Sequence, residues 1–221
     1  MTGHAPRAWV RLPSGRRLDL INPDPAAWLD TDLALRLART YRWGGESAWP
    51  LPLSVAQHSL LVLALRRQWS DTPLPASDAL LELLHDAEEG FLGFDCISPL
   101  KDVLGLSFRA VSSRLMAAVF ERYGLRAWTA EAHVIHKRAD SVAAASEAVH
   151  CIGWPVHEVR SVLGIVHPVL DADPLAEIYD CRPWEPWPAD VAAERFLAAL
   201  DALQGARKAL PCPSGRALSL A

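Results

Sequence analysis

Leu80–Lys101 reads LLELLHDAEEGFLGFDCISPLK, with the pair His85-Asp86 near its centre. The apolar run Leu80, Leu81, Leu83 and Leu84 predicts a helix that ends in an imidazole beside a carboxylate. Two further carboxylates follow at Glu88 and Glu89, and Asp95 lies in a short loop that Pro99 closes. On one continuous helix, Leu81, Leu84 and Glu88 lie near one face, while His85 and Glu89 share another. Glu88 reads as an exposed helix-end carboxylate. Ionisable groups beside a buried face are destabilising unless a cation or a partner satisfies them. His with Asp suits a divalent metal. An acidic helix end facing water is the plain alternative, and His85-Asp86 alone does not exclude it.

The rest of the chain supplies further ligands. His58 stands upstream in Ser54-Val55-Ala56-Gln57-His58-Ser59, and Asp140 downstream in His136-Lys137-Arg138-Ala139-Asp140-Ser141. The order His, His-Asp, Asp on successive helices resembles the HD-domain metal-dependent phosphohydrolases, most closely the branch of 5′-deoxynucleotidases and their nucleotide-hydrolysing relatives. Local strings carry the likeness: Arg42-Trp43, the segment around His58, His85-Asp86-Ala87 with Glu89, Asp95 with Pro99-Leu100-Lys101, and Lys137 three before Asp140. It runs from Trp9 to Glu147. The resemblance implies a mainly α fold, an HD-domain helical bundle with a small N-terminal β-hairpin.

It also implies a site. His58, His85, Asp86 and Asp140 would hold one divalent metal ion (Mn, Co, Ni, Fe, Zn or Mg), leaving positions for water and a phosphate oxygen. Glu89, four after the metal-binding His85, takes the acid/base role, and Asp95 assists it. The chain carries one extra residue between Glu89 and Asp95 relative to the family pattern, so Asp95 rests on a looser match. Arg42 and Trp43 are carried to substrate binding, as a planar fork for phosphate and a wall for the nucleoside. Lys101 either meets a phosphate or pairs with Asp95. The implied reaction is cleavage of the phosphate ester of a (deoxy)nucleoside 5′-monophosphate, with a nucleoside triphosphohydrolase as the alternative. His133 and His136, seven and four before Asp140, share its helical face. They leave open a two-metal phosphodiesterase or oxygenase.

Composition narrows the partners. The 221 residues are 51% apolar and 22% charged, with a net charge of −4, enough for one domain with a sizeable core. A mildly acidic chain does not suit a nucleic-acid polymer, so a nucleotide here is a small molecule. No apolar run approaches the ~20 residues that span a bilayer, and Met1–Arg7 lacks the core of a signal peptide. The four cysteines are far apart with no Cys-x-x-Cys, against a zinc knuckle or disulfide framework. The expectation is a cytoplasmic protein without membrane partners.

Along the chain, Trp9–Leu20 reads as a hairpin turning at Leu12-Pro13-Ser14-Gly15, a type I turn with a bulge. Pro13-Ser14-Gly15-Arg16 recurs as Pro213-Ser214-Gly215-Arg216, read as a second hairpin or an added strand. Thr31 caps a helix to Thr40, and Ser54 with Gln57 forms a capping box for a helix to Trp69. Ser77 or Asp78 caps the His85 helix. Helices over Ser107–Tyr123 and Pro188–Leu210 follow from apolar periodicity. Thr129 with Glu131 and Ala132 starts the longest one, to Ile152, and Pro155 begins a shorter one. Asp171–Pro188, with Trp184 and Trp187, reads as an ordered loop or a partner-binding segment suited to a homo-oligomer.

Overall fold

The computed structural model describes residues 8–209, which form a mainly α-helical bundle with a two-stranded antiparallel hairpin. Strands β1 (Trp9–Arg11) and β2 (Arg17–Asp19) pair Val10 with Leu18. The turn is the expected one: Gly15 N–H donates to the Leu12 carbonyl, Leu12 N–H donates to that of Arg16, and Gly15 has φ +86°. The recurrence at Pro213–Leu220 lies outside the described residues.

The helices are α1 (Asp30–Arg39), α2 (Val55–Gln68), α3 (Ala76–Leu83), α4 (Ala87–Leu92), α5 (Ser98–Tyr123) and α6 (Ala130–Glu147). Helices α7 (Val156–Ser161), α8 (Pro174–Tyr179) and α9 (Ala189–Ala209) complete the order. Helix α1 packs on α9 and α4, and α2 lies between α3 and α6. Helix α2 is buried almost all round, as a central helix must be. Its N-terminus is capped by Ser54 Oγ, which accepts from Gln57 N–H. The second half of the expected capping box is not made. The Gln57 amide instead donates to the Glu185 carbonyl and accepts from Trp187 N–H.

Several boundaries differ from expectation for identifiable reasons. Helix α1 begins one residue before Thr31, because the Asp32 carboxylate accepts the Leu29 N–H and, through Ser14, ties the hairpin turn to the helix. Pro75, rather than Ser77 or Asp78, precedes α3. The expected single helix through His85 and Glu89 is two: α3 stops at Leu83, and α4 starts after Asp86. Where α4 crosses α1, a Cβ on Gly90 would sit 3.0 Å from the Leu37 side chain, so a larger residue would force Leu37 to give way by a few tenths of an ångström. Trp184 and Trp187 are buried in the core and are not offered to a partner.

Helix α5 starts earlier than expected, and among the described residues it is the one helix long and apolar enough, by length and composition alone, to cross a bilayer. The qualifying stretch is Pro99–Tyr123. Reading run by run missed it because Arg109 and Arg114 interrupt the apolar positions without lowering the average much. The helix breaks at Gly105 (φ +74°), and Leu115, Ala118, Val119 and Tyr123 beyond the break enter the core.

Asp30 joins three helices. Its carboxylate accepts from Arg122 (2.8 Å), Tyr123 Oη (2.9 Å) and Gln204 (2.9 Å). Burial alone would raise its pKa, but those bonds hold it below the ordinary 3.8. A depressed carboxylate contributes stability that is complete above its unfolded value and lost as pH falls through the folded one. Asp30→Asn is expected to lose about 1.5–3 kcal/mol at pH 7 and less at pH 3. Urea unfolding at the two pH values checks this, and equal midpoints at pH 7 would refute it.

Candidate active site

The break between α3 and α4 turns His85 inward. His85 Nδ1–H donates to the Glu82 carbonyl at 2.8 Å, taking an acceptor that a continuous helix would give to a backbone N–H. Asp86 follows at the turn, His58 comes one turn into α2, and Asp140 comes from the middle of α6. Their ligating atoms converge. His58 Nε2 lies 3.3 Å from His85 Nε2, 3.7 Å from Asp86 Oδ2 and 3.4 Å from Asp140 Oδ1. His85 Nε2 lies 3.1 Å from Asp86 Oδ2. Donor atoms bound at about 2.0–2.2 Å from one ion stand about 3–3.6 Å apart, so the spacing suits a divalent ion on His58, His85 and Asp86, with Asp140 approaching it from the His58 side. His58, His85 and Asp86 each offer one ligand atom within 4.8 Å of the others.

Both imidazoles are held from behind. His58 Nδ1 lies 2.6 Å from Glu147 Oε1, and His85 Nδ1 is on the Glu82 carbonyl. This leaves the Nε2 lone pairs for the shared point, the arrangement found behind metal-bound histidines. Burial and the Arg42 charge push the His58 pKa down, but Glu147 and Asp140 outweigh them and raise it to about 9. Burial likewise opposes the charge of Asp86, yet His85 holds it well below the carboxylate range. The cluster attracts positive charge.

A cavity of about 450 Å³ opens beside the cluster. Arg42, Trp43, Asp86, Glu89, Asp95, Lys101 and Asp140 line it, so the nine residues read as ligands, acid/base groups and substrate contacts lie in the cluster or on this cavity. Its far wall is apolar: Ile97, Pro99, Ala144, Val162, Leu163 and Ile165. Glu89 Oε1 accepts from Lys101 Nζ at 3.2 Å and from Cys96 N–H at 3.4 Å, while Oε2 is buried without a partner. Burial, with the charges of Asp86 and Asp95, pushes Glu89 up to about 9. Lys101 thus pairs with Glu89 and not with Asp95, which faces Arg42 at 3.9 Å. Glu88 is buried against Ser112 rather than exposed, and stays off the cavity. Helix α4 is sunk between α1 and α5, so even its first turn is dry.

Two residues that matter here carried no motif. Glu147 is buried and accepts from Arg42 Nε (2.8 Å) and Trp43 Nε1 (3.3 Å) as well as from His58. Burial alone would raise its pKa, but Arg42 and His58 lower it to about 2. Its one signal was a lone carboxylate seven after Asp140, on the same helical face of an alanine-rich run. Glu82, also buried, accepts from Arg66 Nε and His136 Nδ1 at 2.7 Å each.

His136 therefore turns away from the cluster. Its ring stacks on Trp128 at 4.6 Å and abuts His85 at 4.9 Å, while His133 is exposed. His136→Ala strands the Glu82 charge on Arg66 alone and is expected to lose about 2–4 kcal/mol. His133→Ala should stay within about 0.5 kcal/mol of wild type. Chemical denaturation of both variants decides it, and equal effects would show that His136 is not part of the buried network.

No family model matches the chain. Over 165 residues it is 40% identical to an uncharacterized protein of Rhodobacter capsulatus, covering 74% of this chain and 83% of that protein. The aligned region is long enough to take in most of the bundle, and the chain belongs to the same family as that Rhodobacter protein.

Proposed function

We propose that the chain is a metal-dependent phosphohydrolase that cleaves the phosphate ester of a (deoxy)nucleoside 5′-monophosphate. The observation that carries this reading is the pair of buried imidazoles, His58 and His85. Their Nε2 atoms meet beside two carboxylates, while their Nδ1 atoms are held from behind. His58, His85, Asp86 and Asp140 would hold one divalent ion. When bound, such an ion supplies Lewis acidity at a phosphate oxygen and lowers the pKa of a water.

The chain's own groups divide the remaining work. Glu89 is fixed at Oε1 by Lys101 and has Oε2 unpartnered. Once the charge of a bound ion lowers its raised pKa and ionises it, Oε2 is the atom that would take the proton of the attacking water and return it to the leaving oxygen. Arg42 commits Nε to Glu147 and keeps its remaining N–H groups for phosphate oxygens. Trp43 and the apolar far wall suit a base or sugar. Asp95 holds Arg42 from the other side rather than handling the proton.

Charge favours the monophosphate over the triphosphate. Each cation on the cavity already faces a carboxylate: Arg42 faces Glu147 and Asp95, Lys101 faces Glu89, and Lys137 faces Asp140. Little positive charge is left over for a polyphosphate tail. His136 is committed to Glu82, which gives the two-metal alternative no support.

Screening nucleoside mono-, di- and triphosphates with Mn, Co, Ni, Zn and Mg tests the reading. Inorganic phosphate from monophosphates, abolished by chelator, is the expected result. Glu89→Gln should retain metal and lower turnover by about 10²–10⁴-fold. Release of triphosphate, or no release with any metal, would overturn the proposal.

A further inference from the structure

We infer that Glu147 is a positioning residue, a buried strut that orients His58 toward the metal and at the same time fixes the Arg42-Trp43 wall of the cavity. The inference rests on reading the cluster as a metal centre, but not on the identity of the substrate. Glu147 does not line the cavity, so it acts through its neighbours.

One carboxylate receives three donors from two parts of the site. Oε1 meets His58 Nδ1 at 2.6 Å, and Oε2 meets Arg42 Nε at 2.8 Å and Trp43 Nε1 at 3.3 Å. An ionised carboxylate only accepts. In the neutral ring that a cation requires, the His58 proton must therefore sit on Nδ1, which leaves the Nε2 lone pair for the ion. Asp140 and Glu147 are two turns apart on α6, so a single helix addresses both nitrogens of His58, Asp140 at Nε2 and Glu147 at Nδ1.

The strut also holds an unfavourable backbone. Trp43 has φ +57°, a left-handed conformation that a bulky side chain rarely adopts. Directly after Glu147 the helix widens into a π-turn, Ala148–Ile152, which shifts the register of its carbonyls. Those carbonyls are used by the same wall segment. Ala48 N–H donates to Cys151 O at 2.7 Å, and Trp49 Nε1–H donates to His150 O at 2.9 Å. Glu147 and the π-turn thus stitch residues 42–49 onto the end of α6, beside His58.

The test uses the full chain with Co²⁺ alone as the probe. Glu147→Gln keeps the size but replaces an acceptor with an N–H donor facing His58 or Arg42. A folded Glu147→Gln protein, judged by its melting curve, should bind Co²⁺ about 10–100-fold more weakly than wild type. Unchanged affinity in that folded variant would overturn the inference. Wild-type protein gives an independent answer if the variant does not fold. Imidazole ¹⁵N spectra of the Zn²⁺-loaded chain should show His58 metallated at Nε2 with a proton retained on Nδ1, and metallation at Nδ1 would equally overturn it. Weakened Co²⁺ binding in a chain whose wild type hydrolyses no nucleotide would sustain the strut while removing the phosphohydrolase reading.

Discussion

His58 is wholly buried, and its two ring nitrogens face three carboxylates, from Asp86, Asp140 and Glu147. Taking that many charges out of water is unfavourable unless they satisfy one another. The surrounding architecture follows from this requirement. Helix α2 runs through the middle of the bundle on its apolar side chains and keeps His58 dry. Helix α6 lies alongside it to bring up Asp140 and Glu147, and α3 ends early so that His85-Asp86 can turn in. At the Nε2 side two carboxylates, Asp86 and Asp140, stand beside two imidazoles, which is the donor set the proposed ion would use.

A second buried network supports the first. Arg66, Glu82, His136 and Trp128 form a connected set behind His85, linked to it by the Glu82 carbonyl and by ring contact with His136. Each imidazole of the cluster thus has its own backing, a side-chain carboxylate for His58 and a backbone carbonyl for His85. Such outer partners set tautomer and orientation, and their burial limits the freedom of the rings. The cost of ordering is then met on folding and not on binding.

Much of this was legible in the residues. The helix starts at Ser54 and Thr129, the hairpin turn and the helical periodicity of α9 follow local rules, and the structure obeys them. The nine residues picked as ligands, catalytic groups and substrate contacts lie together. What was not legible depends on contacts distant in sequence. The break at His85 arises from a side chain taking the Glu82 carbonyl, while Leu80–Glu89 keeps its helical period regardless. Lys101 chose Glu89 over Asp95 because Arg42 had already drawn Asp95. Glu147 was hidden because a lone carboxylate among alanines looks like a solvated position. The tryptophans of Asp171–Pro188 read as a docking segment, but Gln57 reaches across and ties that loop to α2.

The central claim is that four side chains, and no others, form one metal site. X-ray absorption spectroscopy of the Co²⁺- or Zn²⁺-loaded chain addresses it most directly. The account predicts one ion per chain with a nitrogen and oxygen shell that includes two imidazoles. Sulfur scattering, which would bring in Cys96 from the cavity wall, would contradict it. So would a metal–metal vector at about 3.5–4 Å.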